Sequence, residues 1–119
     1  MAAYPCTIGG HRYGGAQRSL YLSDVTSSRP VTRKFRLCQR HFVDAEIIAG
    51  ANMDRLDDGT ETQASMVCQE TNCDRARDAV LFAKFYPGGE DYVQYAGDYC
   101  AAHRDALLAQ LNWDEGQAM

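Results

Sequence analysis

The chain has 119 residues, 45% of them hydrophobic and 24% charged, enough for one ordinary domain or two very small ones. No run of about 18 apolar residues occurs, which excludes a membrane-spanning helix, and the opening MAAYPCTIGGHRYGG has no apolar core, so neither a signal peptide nor a membrane partner is expected. The formal net charge of −4 is unevenly spread: residues 1–62 carry +1 and residues 63–119 carry −5.

Along the chain, CTIGGH (6–11) reads as a tight turn in which Gly9 and Gly10 permit positive φ. SLYLSDV (19–25) alternates, with Leu20 and Leu22 on one face. A turn-rich TSSRP follows, then VTRKFRL (31–37), which sets Val31, Phe35 and Leu37 on one face and Thr32, Lys34 and Arg36 on the other. The two strands predict a hairpin. CQRH (38–41) opens a helix, and HFVDAEIIAGA places Val43, Ile47 and Ala51 on its apolar stripe. DRLDDGTETQAS (54–65) reads as an acidic linker between a first unit at 1–53 and a second at 66–119.

The second unit follows the same order. CQETNC (68–73) is a turn in which Asn72 tolerates positive φ. AVLFAKFY runs into PGGE, where Pro87 and Gly88 suit a type II turn, and DYVQY returns as the second strand. CAAH (100–103) opens a second helix, whose stripe is His103, Leu107 and Leu111, with Leu108 beside it. Trp113 follows, suited either to sealing a core edge or to packing between units.

Every Cys and His in the chain belongs to a repeat. Cys6, His11, Cys38 and His41 recur, offset by 62, as Cys68, Cys73, Cys100 and His103. Both halves read C-x4-[H/C]-x26-C-x2-H. Five cysteines are an odd number and no export signal is evident, so disulfides in a cytoplasmic, reducing compartment are not expected. Residues three apart share a helix face, so a turn pair and a helix pair can converge on one tetrahedral ion. The donors are those zinc prefers. Two structural Zn²⁺ ions are therefore expected, on either sequential or cross-braced ligand sets. Sequential sites are favoured because each half carries a complete set.

The order of knuckle, hairpin and ligand-bearing helix resembles the treble-clef zinc finger. At the motif level the likeness covers roughly residues 4–50 and 66–113, and short chains of this pattern resemble small zinc-finger proteins of actinobacteria and their phages. His11 stands where Cys is commoner. The resemblance implies an α+β fold of two tandem treble-clef zinc units, and it leaves activity open, since such folds serve many purposes.

No zinc-deaminase, nucleophile-elbow or phosphate-loop motif occurs, and four protein ligands leave no site for an activated water. The sequence therefore predicts a non-enzymatic binding module without a small-molecule substrate. A protein partner is favoured, met by the tyrosines Tyr86, Tyr92, Tyr95 and Tyr99. The alternative is nucleic acid, bound by Arg29, Arg33, Lys34, Arg36 and Arg40, with Tyr13 and Tyr21 as stacking groups.

Overall fold

Alternating side chains in two long hairpins decide the architecture. A computed structural model describes residues 4–14, 17–26, 29–56 and 66–119. A two-stranded ribbon comes first, β1 (Tyr4–Pro5) with β2 (Arg12–Tyr13). The first hairpin is β3 (Arg18–Thr26) with β4 (Arg29–Leu37), followed by α1 (Gln39–Asn52) and β5 (Asp54–Leu56). The second hairpin is β6 (Ala79–Tyr86) with β7 (Val93–Tyr99), followed by α2 (Ala101–Gln110), one 3-10 turn (Trp113–Glu115) and β8 (Gln117–Ala118). The fold is thus α+β, with two helices and antiparallel sheets.

The hairpins do not stand apart. β3 pairs antiparallel with β6 from Ser19↔Tyr86 to Thr26↔Ala79, giving one six-stranded sheet in the order β5-β7-β6-β3-β4-β8. Antiparallel pairing of two equivalent strands is the arrangement a two-fold axis would produce. The tails are exchanged across it. β5, which follows the first helix, pairs with β7 of the second hairpin, and β8, which follows the second helix, pairs with β4 of the first. Each half therefore covers the other's outer strand, which shortens the exposed edges. Asp54–Leu56, the start of the expected linker, is part of the sheet. Residues 57–65 lie outside the described residues.

Pleating puts Leu20, Leu22, Phe35 and Leu37 on the same face as Leu81, Ala83, Phe85, Tyr95 and Tyr99, and all nine are buried. Both helices cover this face. From α1 come Phe42, Ala45 and Ala49, and from α2 Leu107 and Leu108, followed by Leu111, all within one continuous core. The ring of Phe42 meets Phe85 of the second hairpin edge-on at 5.6 Å, and Tyr99 Oη donates to the Asn52 carbonyl at the end of α1. The first helix is thus anchored on the second hairpin. Reciprocally, Arg33 Nη1 donates to the Trp113 carbonyl at 2.8 Å and its guanidinium lies 4.7 Å from that ring's centroid. Trp113 seals the core edge over the first hairpin.

Three local expectations are corrected. The stripe on α1 is not Val43, Ile47 and Ala51. Val43 is 44% and Ile47 64% exposed, and the buried residues are Phe42, Ala45 and Ala49. The helix phase is set by Cys38 and His41, which must face Cys6, so Ala45 and Ala49, four and eight residues after His41, turn inward. Val31 is 48% exposed although it shares its face with Phe35, because it lies near the end of the strand. The second hairpin closes through residues 87–92, and φ is 141° at Gly88 and 152° at Gly89, far from the roughly +80° of a type II turn. Leu20 and Leu22 find their counterparts in Leu81 and Ala83, 61 residues on, one short of the ligand repeat. A one-residue change of register flips a strand's faces, which hid this correspondence.

Candidate metal centres

Each cluster forms where a turn meets the junction of a hairpin and a helix. In the first half, Gly10 N–H donates to the Cys6 carbonyl at 3.0 Å and Cys6 N–H to the His11 carbonyl at 2.7 Å. Positive φ at Gly9 (79°) and Gly10 (70°) closes this turn. In the second half, Asn72 takes the left-handed conformation (φ 62°), and Cys73 N–H donates to the Glu70 carbonyl at 3.0 Å. Cys38 and Cys100 are the N-cap residues of α1 and α2, and at Cys38 the sulfur accepts from His41 N–H at 3.5 Å.

Thr7 and Gln69, which the sequence reading did not single out, each hold a turn to its hairpin. Thr7 N–H donates to the Arg36 carbonyl at 2.8 Å, and Thr7 Oγ1 accepts from Arg36 N–H at 2.8 Å. In the second half, Gln69 N–H donates to the Asp98 carbonyl at 2.9 Å, and Gln69 Oε1 accepts from Asp98 N–H at 2.8 Å. Both residues directly follow the first Cys of their repeat. The signal was a side-chain acceptor at the same repeat position, concealed because Thr and Gln are different residue types.

The donor atoms of Cys6, His11, Cys38 and His41 all lie within 4.8 Å of one another, and so do those of Cys68, Cys73, Cys100 and His103. Each sequence-repeat unit thus gathers its own four donors. His41 Nδ1 lies 3.3 Å from Cys6 Sγ and 3.4 Å from Cys38 Sγ. His103 Nδ1 lies 3.4 Å from Cys68 Sγ and 3.2 Å from Cys100 Sγ, and Cys73 Sγ is 4.0 Å from Cys100 Sγ. A tetrahedron with Zn–S of about 2.3 Å and Zn–N of about 2.0 Å has S···N edges near ~3.5 Å and S···S edges near ~3.8 Å. The separations match that cage, and the donor sets, Cys2His2 and Cys3His, are those of structural zinc. All five cysteines are free thiols, and four are buried. His11 is the exposed member of its cluster, its ring 5.2 Å from that of His41.

Electrostatics separates the thiols. Cys100 is lowered to about 7, first by the His103 N–H at the start of α2 and then by bonds to Cys68, Cys73 and the His103 ring. Burial raises Cys6. At Cys73 the Arg75 N–H lowers the pKa, but burial together with Cys68 and Cys100 prevails and raises it. A divalent cation at either cluster would offset the charge of the thiolates it draws together. With one Zn²⁺ each, the first centre is neutral and the second carries −1.

The basic residues proposed as a nucleic-acid surface do not form one patch. Lys34 and Arg36 point to the open sheet face, whereas Arg33 points to the helix-covered face and is held by Trp113. Arg40 lies on α1, 3.9 Å from Asp44, and Arg29 opens β4 with its side chain outside the described set. Tyr13 packs against the core and against Tyr4, while Tyr21 lies on the open face. Of the four later tyrosines, Tyr95 and Tyr99 are buried, Tyr86 is half-buried and Tyr92 is 48% exposed. Among the described residues no helix is long and apolar enough to cross a membrane. No family model, curated protein or solved structure matches the chain.

Proposed function

We propose that this protein is a non-enzymatic binding module whose fold is held by two structural zinc ions, each in a treble-clef-like unit of knuckle, hairpin and helix. The observation that carries this reading is the pair of four-donor clusters. Four protein ligands complete a tetrahedral shell and leave no coordination position for substrate or an activated water. The ions then supply cohesion. Zinc in finger peptides contributes about 10–16 kcal/mol of apparent binding energy at neutral pH, large beside the net stability of a small domain. Elemental analysis of the purified chain should find two zinc atoms per molecule, and a strong chelator should abolish the near-UV signal of Trp113. Fewer than two atoms, or a fold indifferent to chelation, refutes the reading.

Two surfaces remain for partners. The exposed Val43 and Ile47 on α1 favour a protein partner and an adaptor or regulatory role. The open face of the sheet favours the second reading, nucleic acid, and its chemistry is specific enough to develop.

A further inference from the structure

Both helices lie on one face of the six-stranded sheet, and among the described residues no helix or strand covers the other. Where β3 meets β6, that open face forms a trough of about 900 Å³, built from both hairpins. Tyr21 and Tyr86 line it and meet edge-on at 5.6 Å, and Tyr92, 5.3 Å from Tyr86, extends this chain of aromatic rings beyond the trough. Two ammonium groups stand over this chain. Lys34 Nζ is 5.4 Å from the Tyr21 ring centroid and Lys84 Nζ is 4.9 Å from that of Tyr92. Arg36 continues the same face of β4 and is exposed. Ser19, Thr32 and Gln94 supply hydroxyl and amide groups along the lining, and Glu90 is its one carboxylate.

We infer that this trough binds single-stranded nucleic acid. The inference rests on the binding-module reading and gives it an occupant. Tyrosine rings offer stacking surfaces to any base, and the flexible lysines that lie over Tyr21 and Tyr92 turn from the rings to the phosphates when bases arrive, the combination by which single strands are held without strict sequence preference. A duplex keeps its bases paired and stacked on one another, out of reach of the rings, so unpaired bases fit where a paired helix does not. Lys34, Arg36 and Lys84 gather on the ring-bearing part of the face, against Glu90 in the trough lining; of the carboxylates farther out on the same face, Asp98 is paired with Arg77 at 3.3 Å and Asp54 lies on the edge strand β5. Besides its rings the trough is lined by Val25, Pro30 and Phe82, whereas the exposed aliphatic pair Val43 and Ile47 lies away from it on α1. No single hairpin builds this site. Tyr21 and Lys34 come from the first, Lys84 and Tyr86 from the second, and Tyr92 from its connecting loop.

The test is fluorescence anisotropy of the zinc-loaded full chain with labelled oligo-dT, oligo-U and a duplex of equal length, across a salt series. Binding to both single strands and weaker binding to the duplex is expected. Each phosphate contact contributes about 0.7 to the slope of log affinity against log salt for single strands. Lys34→Gln with Lys84→Gln should therefore flatten the slope by about 1.4. Tyr21→Leu and Tyr86→Leu should each weaken binding by about tenfold, and Arg40→Gln, away from the face, should change little. Zinc content and circular dichroism verify that each variant is folded, and the lysine pair remains informative if a tyrosine variant is not. No single-strand binding at low salt by chain holding two zinc atoms overturns this inference and leaves the zinc-stabilised module standing. Equal duplex affinity, or a slope unmoved by the lysine pair, also overturns it. Loss of a copurified protein with the lysine pair, in place of oligonucleotide, assigns the face to a protein instead.

Discussion

Replacing Cys38 by Ser isolates the contribution of one metal centre, because serine keeps the capping role at the start of α1 that the Cys38 sulfur fills by accepting from His41 N–H at 3.5 Å. What is lost is one of four ligands in the first cluster. If that removes a third of the ~10–16 kcal/mol a structural zinc supplies, the loss of ~3–5 kcal/mol approaches the lower end of the ~5–15 kcal/mol net stability of a typical domain. The structure also says where the damage goes. β3 pairs with β6 over eight residues, Phe42 rests on Phe85, and β8 from the end of the chain pairs with β4. Losing the first centre therefore exposes the core of the second hairpin. Cys38→Ser should release both zinc atoms and lose far-UV ellipticity and Trp113 fluorescence together, in one urea transition at much lower denaturant. Cobalt substitution gives each centre a visible band by which retention is read. A mutant that keeps one metal per chain, with a residual transition at the original midpoint and about half the original denaturant slope, which scales with surface exposed, would show two independent units and refute the reasoning.

The remaining predictions concern packing and charge. A Cβ on Gly97 would lie 2.5 Å from Tyr99 Oη and 2.6 Å from its ring, in a side chain that is fully buried and bonded to Asn52. Gly97→Ala should thus cost about 1–3 kcal/mol by overpacking, seen as a lower midpoint in urea. Ile47→Glu should shift stability by no more than about 0.5 kcal/mol because the side chain is exposed. Phe42→Ala, buried one turn earlier, should cost about 3–5 kcal/mol, and the reverse ranking would restore the stripe expected from sequence. Asp24 lies on the helix-covered face with Oδ1 buried and without a hydrogen-bond partner, and burial raises its pKa, with Arg104 opposing and Asp105 and Asp78 adding to the rise. A raised carboxyl binds its proton more tightly in the folded state, so its ionisation opposes folding at neutral pH, and the penalty fades as pH falls through the folded pKa towards the unfolded value. Asp24→Asn should therefore be more stable than the parent at pH 7, with the difference narrowing towards pH 4. A constant or widening difference would rule this out.

Much of the local design was legible in the chain because it depends on short-range chemistry. The paired ligand spacings, the turns that need Gly9, Gly10 and Asn72, the helices beginning at Cys38 and Cys100, and the inward Leu20, Leu22, Phe35 and Leu37 follow from residue type and separation alone. The phase of α1 was not, since Val43 and Ile47 are more hydrophobic than Ala45 and Ala49. The direction in which His41 must point overrules that preference.

The sequence by itself determined two copies of one scaffold and the donors each would bring to a metal. Only the tertiary structure decided how the copies meet. A strand's pairing groups do not reveal their partner, since backbone N–H and C=O are the same at every residue. The antiparallel joining of β3 to β6, and the exchange of β5 and β8 between hairpins, therefore left no periodic trace in the chain. That joining brings Tyr21 beside Tyr86 and puts Lys34 and Lys84 on one open face, 50 residues apart in sequence.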